Sequence, residues 1–401
     1  MAALIGVLLV ASGFLVRVVT EPASDVTPAA ATVAANPEAG ADSWAVLAEI
    51  AGVLQADFVE PDAADTATLQ DGAIRGIFEA LNDPHSTYID PETFALSKDD
   101  FEGAFQGIGA TVSQQDGFIV IVQPLPDTPA ERAGLRAGDI ILEVDGESAE
   151  GWSVEEAVLR IRGPIGTTVS LTIRHGDGVV ETLDLERDAI EVASVSTAPP
   201  GGVLRDADGN TVTDIGYIRI SSYTRTTPQE LEDAIAAAEA AGVRGLILDV
   251  RSNPGGLLQE TVEIADMLLD GGDIVTQVER DGSERTASAR EGMITALPIV
   301  VVQDGFSASG AELMAAALQE NGRAQVVGEP SFGKGTVNRA VELSNGGAVY
   351  VSIARWLTPA RNQIEGRGVI PDVEVTLTAE DIEASRDVAV IRAIELLRGT
   401  P

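Results

Sequence analysis

The sequence predicts a mixed α/β protein in which a strand–helix core follows a smaller β-rich module, with helices at both ends. Beyond about residue 190, apolar runs with strand character alternate with segments of helical periodicity, an order typical of a largely parallel sheet covered by helices. The predicted core strands are residues 215–220, 245–249, 299–302 and 324–327, and the predicted core helices are 228–241, 257–269 and 311–321. Alternating apolar runs at 118–122, 140–144 and 169–174, with a short helix at 154–161, indicate the β-rich module.

Composition excludes several classes of function. Hydrophobic residues make up 45% of the 401, which is ample for packed cores. The chain carries 26 basic and 63 acidic residues, and its net charge of −37 argues against nucleic-acid binding because phosphate backbones are repelled. Cysteine is missing, so thiol nucleophiles, disulfides and thiolate metal sites are excluded. Two histidines are too few for a multi-histidine metal cage.

The first 20 residues are predicted to be a transmembrane anchor or a signal segment. Residues 2–16 are apolar or small, and only Arg17 interrupts the run before Val18 and Val19. As a helix this run reaches about 27 Å, just short of the ~30 Å hydrocarbon core of a membrane. It lacks a preceding basic stretch and a nearby cleavage site, so an uncleaved anchor is favoured over a cleaved signal peptide. Residues 21–42, rich in Ala, Pro, Thr and Val, are predicted to be a flexible linker.

Helices are predicted at both ends of the folded part. A helical region covers residues 43–103: Ser43 is placed to cap a helix over 44–59, and a second helix over 68–81 ends before Pro84. Residues 379–397 form a final amphipathic helix. This helix can pack on the core or on a second subunit, so a homodimer is one assembly that the sequence allows.

Ser309 is the candidate nucleophile. It lies in the sequence SASGAE at 307–312, directly after the predicted strand 299–302 and directly before the predicted helix 311–321. A side chain at such a junction stands beside the unpaired N–H groups of the first helical turn, so a serine there can attack a carbonyl while those groups receive the oxyanion. The alternative is that Ser307 or Ser309 only caps the helix, which is the commoner use of serine at this position.

Lys334 is the candidate general base, and it is one of only two lysines because 24 of the 26 basic residues are arginine. Arginine cannot lose its proton in a protein, whereas a buried lysine can. To be largely neutral near pH 7.5, Lys334 needs a pKa roughly three units below the reference value. This lowering corresponds to a free energy of about 4 kcal/mol, which burial of the ammonium group can supply. A phosphate-binding loop is the rival interpretation of GKGT at 333–336, but Glu329 within that loop is an acid that would repel phosphate, and the residue directly after the lysine is Gly335, where the motif requires serine or threonine.

Two glycine-rich segments are candidates for contacting a ligand through their backbone. The sequence NPGG at 253–256 follows the predicted strand 245–249, and it forms either a plain turn or a turn whose N–H group completes an oxyanion hole. The loop of Gly107, Ile108 and Gly109 precedes another strand. It either forms a turn only or holds the terminal carboxylate of a peptide that adds a strand to the sheet. His175 lies in a hairpin turn over 174–178, and we expect it to be exposed rather than to bind a ligand.

Ser309, Lys334, the NPGG turn and the glycine loop together resemble the carboxyl-terminal processing (tail-specific) serine peptidases. The resemblance runs from about residue 44 to the C-terminal helix, and it includes DPHSTY at 83–88, RWLTP at 355–359 and GVIPD at 368–372. It implies an α/β peptidase core of crotonase-like ββα architecture at 188–376, an inserted PDZ domain at 104–187 that binds substrate C-termini, and a C-terminal helix at 377–401. His85, within DPHSTY, belongs to a structural motif in this family and is not a triad histidine.

The resemblance also implies roles for single residues. Ser309 matches the nucleophile of the family and Lys334 its general base. Gly255 and Gly310 match the positions whose N–H groups form the oxyanion hole. Four residues after the lysine the family usually has a glutamine that orients it. Here that residue is Asn338, which keeps the amide on a side chain one methylene shorter.

We therefore expect an endopeptidase that binds the C-terminus of a protein or peptide substrate and cleaves it through an acyl-enzyme, with no metal or cofactor. An alternative is a peptide-binding scaffold that has lost catalysis, and the replacement of the usual glutamine by Asn338 would indicate that loss. An acyl-thioester enzyme of related architecture would explain neither the PDZ-like module nor the lysine. The N-terminal segment and the resemblance together indicate an extracytoplasmic location, periplasmic or in the cell envelope, with membrane attachment and without nucleic-acid partners.

Overall fold

The structure is a computed structural model, and it describes residues 41–91, 93–94, 104–115, 117–199, 201–376, 378, 381 and 386–399. The predicted anchor at 1–20 and nearly all of the predicted linker at 21–42 lie outside the described residues. Within the described ranges, no helix combines the length and the apolar character needed to cross a membrane.

The N-terminal region is helical, as predicted. Helix α1 (Ala41–Asp57) is followed by a 3-10 turn (Pro61–Ala64) and by α2 (Thr66–Leu81). The prediction that Ser43 caps the first helix was wrong, because Ser43 lies inside α1, which already includes Ala41 and Asp42. Helix α2 ends at Asn82, whose left-handed conformation (φ 52°) turns the chain toward strand β1 (Thr87–Ile89).

The β-rich module is an antiparallel sheet with two short helices. Its elements are β2 (Ala104–Gly107), β3 (Ala110–Gln115), β4 (Phe118–Pro124), α3 (Pro129–Arg132), β5 (Ile140–Val144), β6 (Glu147–Ser148), α4 (Val154–Ile161), β7 (Thr168–Arg174), β8 (Val180–Glu186) and β9 (Asp188–Glu191). The strand order is β3-β4-β5-β7-β8, with β6 paired to β5, while β2 pairs with β9. Alternate residues such as Ile119, Ile121, Leu171 and Ile173 are fully buried, as the period of two predicts.

The prediction that His175 is exposed was wrong. The turn does follow β7, but the imidazole folds inward and is only 8% exposed. Its Nδ1 lies 2.9 Å from Asp139 Oδ1 and its Nε2 lies 2.6 Å from Glu181 Oε1. These two carboxylates raise the pKa of His175, and the effect of Glu181 is larger than that of Asp139. The two acids favour the protonated form of His175, and the imidazole between them is part of the interior of this module.

The second region contains two sheets. Its elements are β10 (Val195–Ser196), β11 (Gly216–Ile220), α5 (Thr227–Ala240), β12 (Leu246–Asp249), α6 (Leu258–Leu268), β13 (Asp273–Glu279), β14 (Glu284–Ser288), β15 (Ile299–Gln303), α7 (Gly310–Glu320), β16 (Ala324–Gly328), β17 (Thr336–Glu342), β18 (Ala348–Leu357), β19 (Val373–Glu374) and α8 (Val388–Arg398). The first sheet, β10-β11-β12-β15-β16-β19, is parallel from β11 onward. The second is antiparallel around β18, which pairs with β1, β13 and β17.

The parallel sheet is covered on both faces, which explains its continuous apolar strands. Helices α5, α6 and α7 pack on one face through side chains such as Leu231, Ile264 and Leu313. Helix α8 packs on the other face, where Val390 and Ile394 join the buried side of β12 and β15. The final helix therefore packs on the core, and the predicted fold class is confirmed.

The parallel order also brings three segments to one edge of the sheet. Strand β12 ends at Asp249 before the NPGG turn, β15 ends at Gln303 before Ser309, and β16 ends at Gly328 before Lys334. Carboxyl ends of neighbouring parallel strands meet at a common edge, where α/β proteins bind their ligands.

Candidate active site

Ser309 stands at the amino end of α7 in a strained conformation. Its φ of 57° lies in the left-handed region, which costs a non-glycine residue free energy unless its surroundings hold it. The residue is 0% exposed, and within the described part of the chain its Oγ has no hydrogen-bond partner. Ser307, in contrast, donates its hydroxyl to the carbonyl of Val250 at 2.8 Å. Of the two serines, Ser307 is structural, and Ser309 presents an unused hydroxyl.

Lys334 is buried between two glycines and is only 4% exposed. Burial lowers its pKa to about 8, while Glu312, Glu365 and Asp83 oppose this shift because their negative charges favour the ammonium. Its Nζ lies 5.7 Å from the centre of the Tyr350 ring, which is itself buried. This lowering covers most of the decrease in pKa that a largely neutral lysine near pH 7.5 requires.

Glu312 joins the serine segment to the lysine segment. Its buried carboxylate accepts the backbone N–H groups of Ser309 at 2.7 Å, Lys334 at 2.9 Å and Gly333 at 2.6 Å, and the hydroxyl of Ser331 at 2.6 Å. Burial raises the pKa of Glu312, and these hydrogen bonds oppose the rise. One carboxylate therefore fixes the spacing of both candidate residues. Glu312 has no role among the sequence predictions, although a glutamate three residues after a serine at a helix start is a recognisable pattern.

A second layer of contacts holds the lysine loop from the other side. His85 Nε2 lies 2.7 Å from Glu365 Oε1, and Glu365 Oε2 accepts the N–H of Gly335 at 2.8 Å. Asp83 holds the His85 segment by accepting the N–H of His85 at 3.0 Å. The DPHSTY motif thus acts on the site through the backbone around Lys334.

Asn338 faces this same layer. Its amide nitrogen donates to the carbonyl of His85 at 2.7 Å and to Ser352 Oγ at 3.2 Å, and its oxygen accepts from Thr336 Oγ1 at 3.1 Å. The first two bonds join β17 to the His85 segment and to β18, and the third lies within β17. Its predicted role in orienting Lys334 stays a prediction.

Gly255 lies against the candidate nucleophile. A Cβ atom on Gly255 would stand 2.8 Å from Ser309 Cβ and 2.9 Å from the nitrogen of Gly310, so only glycine permits this approach. The N–H of Gly255 donates to Asn253 Oδ1 at 2.8 Å, in a turn that the side chain of Asn253 closes. A substrate oxygen would therefore have to share or displace this bond, whereas Gly310 offers its N–H at the amino end of α7.

The glycine loop of the β-rich module leads into an edge strand. Gly109 has φ 75°, and a Cβ there would overlap Thr128, while Ile108 is buried and its carbonyl accepts the N–H of Ala130 at 2.8 Å. Strand β3, which follows, pairs with β4 on one side only in the described sheet, and α4 lies beside it. An edge strand next to a helix is the arrangement to which a peptide can add as a further strand.

The fold and these residues define a class, an α/β peptidase core joined to a PDZ domain. The model of peptidase family S41 matches residues 214–375, that of the PDZ domain matches 99–174, and that of the "activating protease CtpB N-terminal domain" matches 14–93. The carboxy-terminal-processing protease of Bartonella bacilliformis is 37% identical over 78% of this chain and 70% of its own. That of Synechocystis is 34% identical over 82% and 76%. The chain belongs to the carboxy-terminal processing proteases of family S41, which confirms the resemblance.

Two further comparisons set the extent of this likeness. Protease CtpA of Bacillus subtilis is 40% identical over 316 residues, which cover 78% of this chain and 65% of CtpA, and CtpB of the same organism is matched over 64% of its length. The chain thus spans slightly less than two thirds of these two relatives. Among solved structures, an S41 protease from Bacteroides fragilis shares the fold, with a TM-score of 0.51 and 13% identity over 88% of this chain and 97% of its own.

Proposed function

We propose that this protein is a serine endopeptidase that binds protein C-termini through its PDZ domain and cleaves peptide bonds with a Ser309–Lys334 pair. The observation that carries the proposal is the environment of the two residues. Ser309 offers a buried hydroxyl without a partner in the described residues, Lys334 has a pKa of about 8, and Glu312 fastens both segments.

The proposed reaction begins with neutral Lys334, which takes the proton of Ser309 Oγ as this oxygen attacks the carbonyl carbon of the substrate. The N–H of Gly310, at the positive end of α7, stabilises the oxyanion, and Gly255 adds a second donor if the oxyanion shares the bond to Asn253. The amide C–N bond then breaks, and the leaving amine takes the proton from Lys334. A water molecule attacks the acyl-enzyme, Lys334 takes its proton, and collapse releases the acid and returns the proton to Ser309.

Substrate binding is proposed for the groove between β3 and α4. An extended C-terminal peptide would pair with the edge of β3, with its carboxylate at Gly107, Ile108 and Gly109. The names of the relatives, which are carboxy-terminal processing proteases, support this substrate class. Extracytoplasmic location, with residues 1–20 as anchor or signal, is part of the same proposal. Fractionation of cells that express the chain with and without these residues tests it.

A peptide-binding scaffold is the second candidate. It is favoured by the hydrogen bond that already engages Gly255 N–H and by the contacts of Asn338 with His85 and Ser352. A scaffold would bind C-terminal peptides through the PDZ domain without hydrolysing them.

The test compares the wild-type protein with Ser309→Ala and Lys334→Ala on an unfolded protein that ends in apolar residues. Matched controls are Ser283→Ala, on an exposed turn, and Lys98→Ala, at the only other lysine in the sequence. We expect both site variants to lose cleavage by about 1,000-fold or more and both controls to keep it. Cleavage that survives in Ser309→Ala contradicts the mechanism, and wild-type binding without cleavage favours the scaffold.

A further inference from the structure

The last helix is tied to the turn beside the candidate nucleophile by one ion pair. Asp387, directly before α8, accepts Arg251 Nη1 at 3.0 Å on Oδ1 and Arg251 Nη2 at 2.8 Å on Oδ2. Two parallel bonds of this kind fix both the distance and the angle between the groups. Asp387 also caps the helix, since its Oδ1 accepts the N–H of Val390 at 3.1 Å.

Arg251 is held from its other side by Asp249. The Nε of Arg251 donates to both Asp249 oxygens at 3.0 Å, and the backbone N–H of Arg251 donates to Oδ1 at 3.0 Å. Asp249 is fully buried, and its Oδ2 also accepts the hydroxyl of Tyr217 at 2.7 Å. Arg251 thus stands between two acids, one in the end of β12 and one on the final helix.

The turn that Arg251 opens is bonded directly to the serine segment. The carbonyl of Val250 accepts Ser307 Oγ at 2.8 Å, and the carbonyl of Asn253 accepts the N–H of Ala308 at 2.9 Å. Within the turn, Ser252 has a φ of 55°, a conformation that a serine keeps only under external restraint. These bonds connect the turn that contains Arg251 and Gly255 to the loop that carries Ser309.

We propose that Asp387 is a positioning residue for the reaction. By fixing Arg251, it keeps the 250–255 turn, and with it Gly255, in its position beside Ser309. This inference rests on the proposed function. It makes the final helix a part of the catalytic scaffold as well as a cover for the sheet. A misplacement of about 1 Å costs on the order of 100-fold in rate, so the effect of losing the ion pair is measurable.

The test uses Asp387→Asn, because asparagine caps a helix as well as aspartate but carries no charge for Arg251. The matched control is Asp214→Asn, which removes one of two ion pairs at the opposite end of α8, where Asp214 Oδ1 accepts Arg398 Nη2 at 2.7 Å and Asp206 also pairs with Arg398. We expect Asp387→Asn to lower kcat by about 10- to 100-fold with little change in KM, and Asp214→Asn to leave kcat within about twofold. Both variants should unfold at similar temperatures, and Asp387→Glu should restore part of kcat.

A second readout separates this inference from the proposed function. The rate at which a fluorophosphonate labels Ser309 depends on the same geometry but requires no peptide substrate. If the wild-type protein is labelled but cleaves nothing, the proposed function fails, and the ratio of labelling rates still decides the role of Asp387. Equal kcat or equal labelling for Asp387→Asn and Asp214→Asn overturns the inference. A wild-type protein that neither cleaves nor reacts overturns both.

Discussion

Replacing Glu365 by Gln should shift the pH dependence of the reaction toward lower pH. Lys334 must be neutral to take the serine proton, and its pKa of about 8 reflects burial, which lowers it, against Glu312, Glu365 and Asp83, which raise it. Removing the charge of Glu365 removes one of the opposing contributions. Glutamine can still accept the N–H of Gly335 with its oxygen and place its amide nitrogen beside His85 Nε2, so the loop keeps its contacts with this side chain.

The size of the effect follows from the titration curve of Lys334. With a pKa of about 8, roughly one lysine in eleven is neutral at pH 7. A nearby opposite charge shifts a pKa by about one to three units. We use the smallest of these shifts, about one unit, because the side chain of Glu365 is 35% exposed and solvent screens its charge. A pKa near 7 makes about half of the lysines neutral, so kcat/KM at pH 7 should rise about fivefold while its plateau above pH 9 stays unchanged.

The assay is kcat/KM on a chromogenic peptide from pH 5.5 to 9.5. Glu342→Gln, an exposed position at the far end of β17, is the control and should leave the profile unchanged. A midpoint that stays near 8 in Glu365→Gln, or one that moves upward, would show that the charge of Glu365 does not oppose the neutral form of Lys334.

Three further changes probe the same structure. Lys334→Met should abolish cleavage and raise the free energy of unfolding by about 3 kcal/mol at pH 7. At this pH the buried lysine is protonated, which destabilises the folded state because its pKa falls from 10.5 in the unfolded chain to about 8 in the folded one. Urea titrations should show that the gain in stability vanishes by about pH 10.5. Glu312→Gln should reduce kcat by about 100-fold or more, because an amide cannot accept all four donors, and unchanged kcat would remove the bridging role. His175 has a raised pKa, so its stabilisation is complete below about pH 6.5 and is lost as pH rises through the folded pKa. In His175→Gln this pH dependence of thermal unfolding should disappear, and its persistence would contradict the His175 assignment.

The sequence predicts those parts of the site that depend on the order of elements along the chain. Ser309 and Lys334 each follow an apolar strand of the parallel sheet, and this order alone places them at one edge. The Asn-Pro-Gly-Gly turn is predicted for the same reason. Strand periods of two and the alternation of strands and helices also determine the two modules of the fold.

Contacts between side chains and distant backbone could not be predicted in this way. The bonds of Glu312 to Gly333 and Lys334 join segments about 20 residues apart, and no local pattern reports them. His175 follows local turn chemistry, yet Asp139, far away in sequence, draws its ring inward. The bond from Gly255 to Asn253 is local, but its consequence for an oxyanion appears only once Ser309 lies beside it.

The pH dependence of covalent labelling tests directly whether Ser309 attacks with Lys334 as its base. The full chain is treated with a fluorophosphonate from pH 6 to 10, and the modified residue is located by peptide mapping. We expect a label on Ser309 alone, at a rate that rises with a midpoint near pH 8 and that falls to background in Lys334→Met. A label on another serine, or a rate on Ser309 that is the same with and without Lys334, would contradict it.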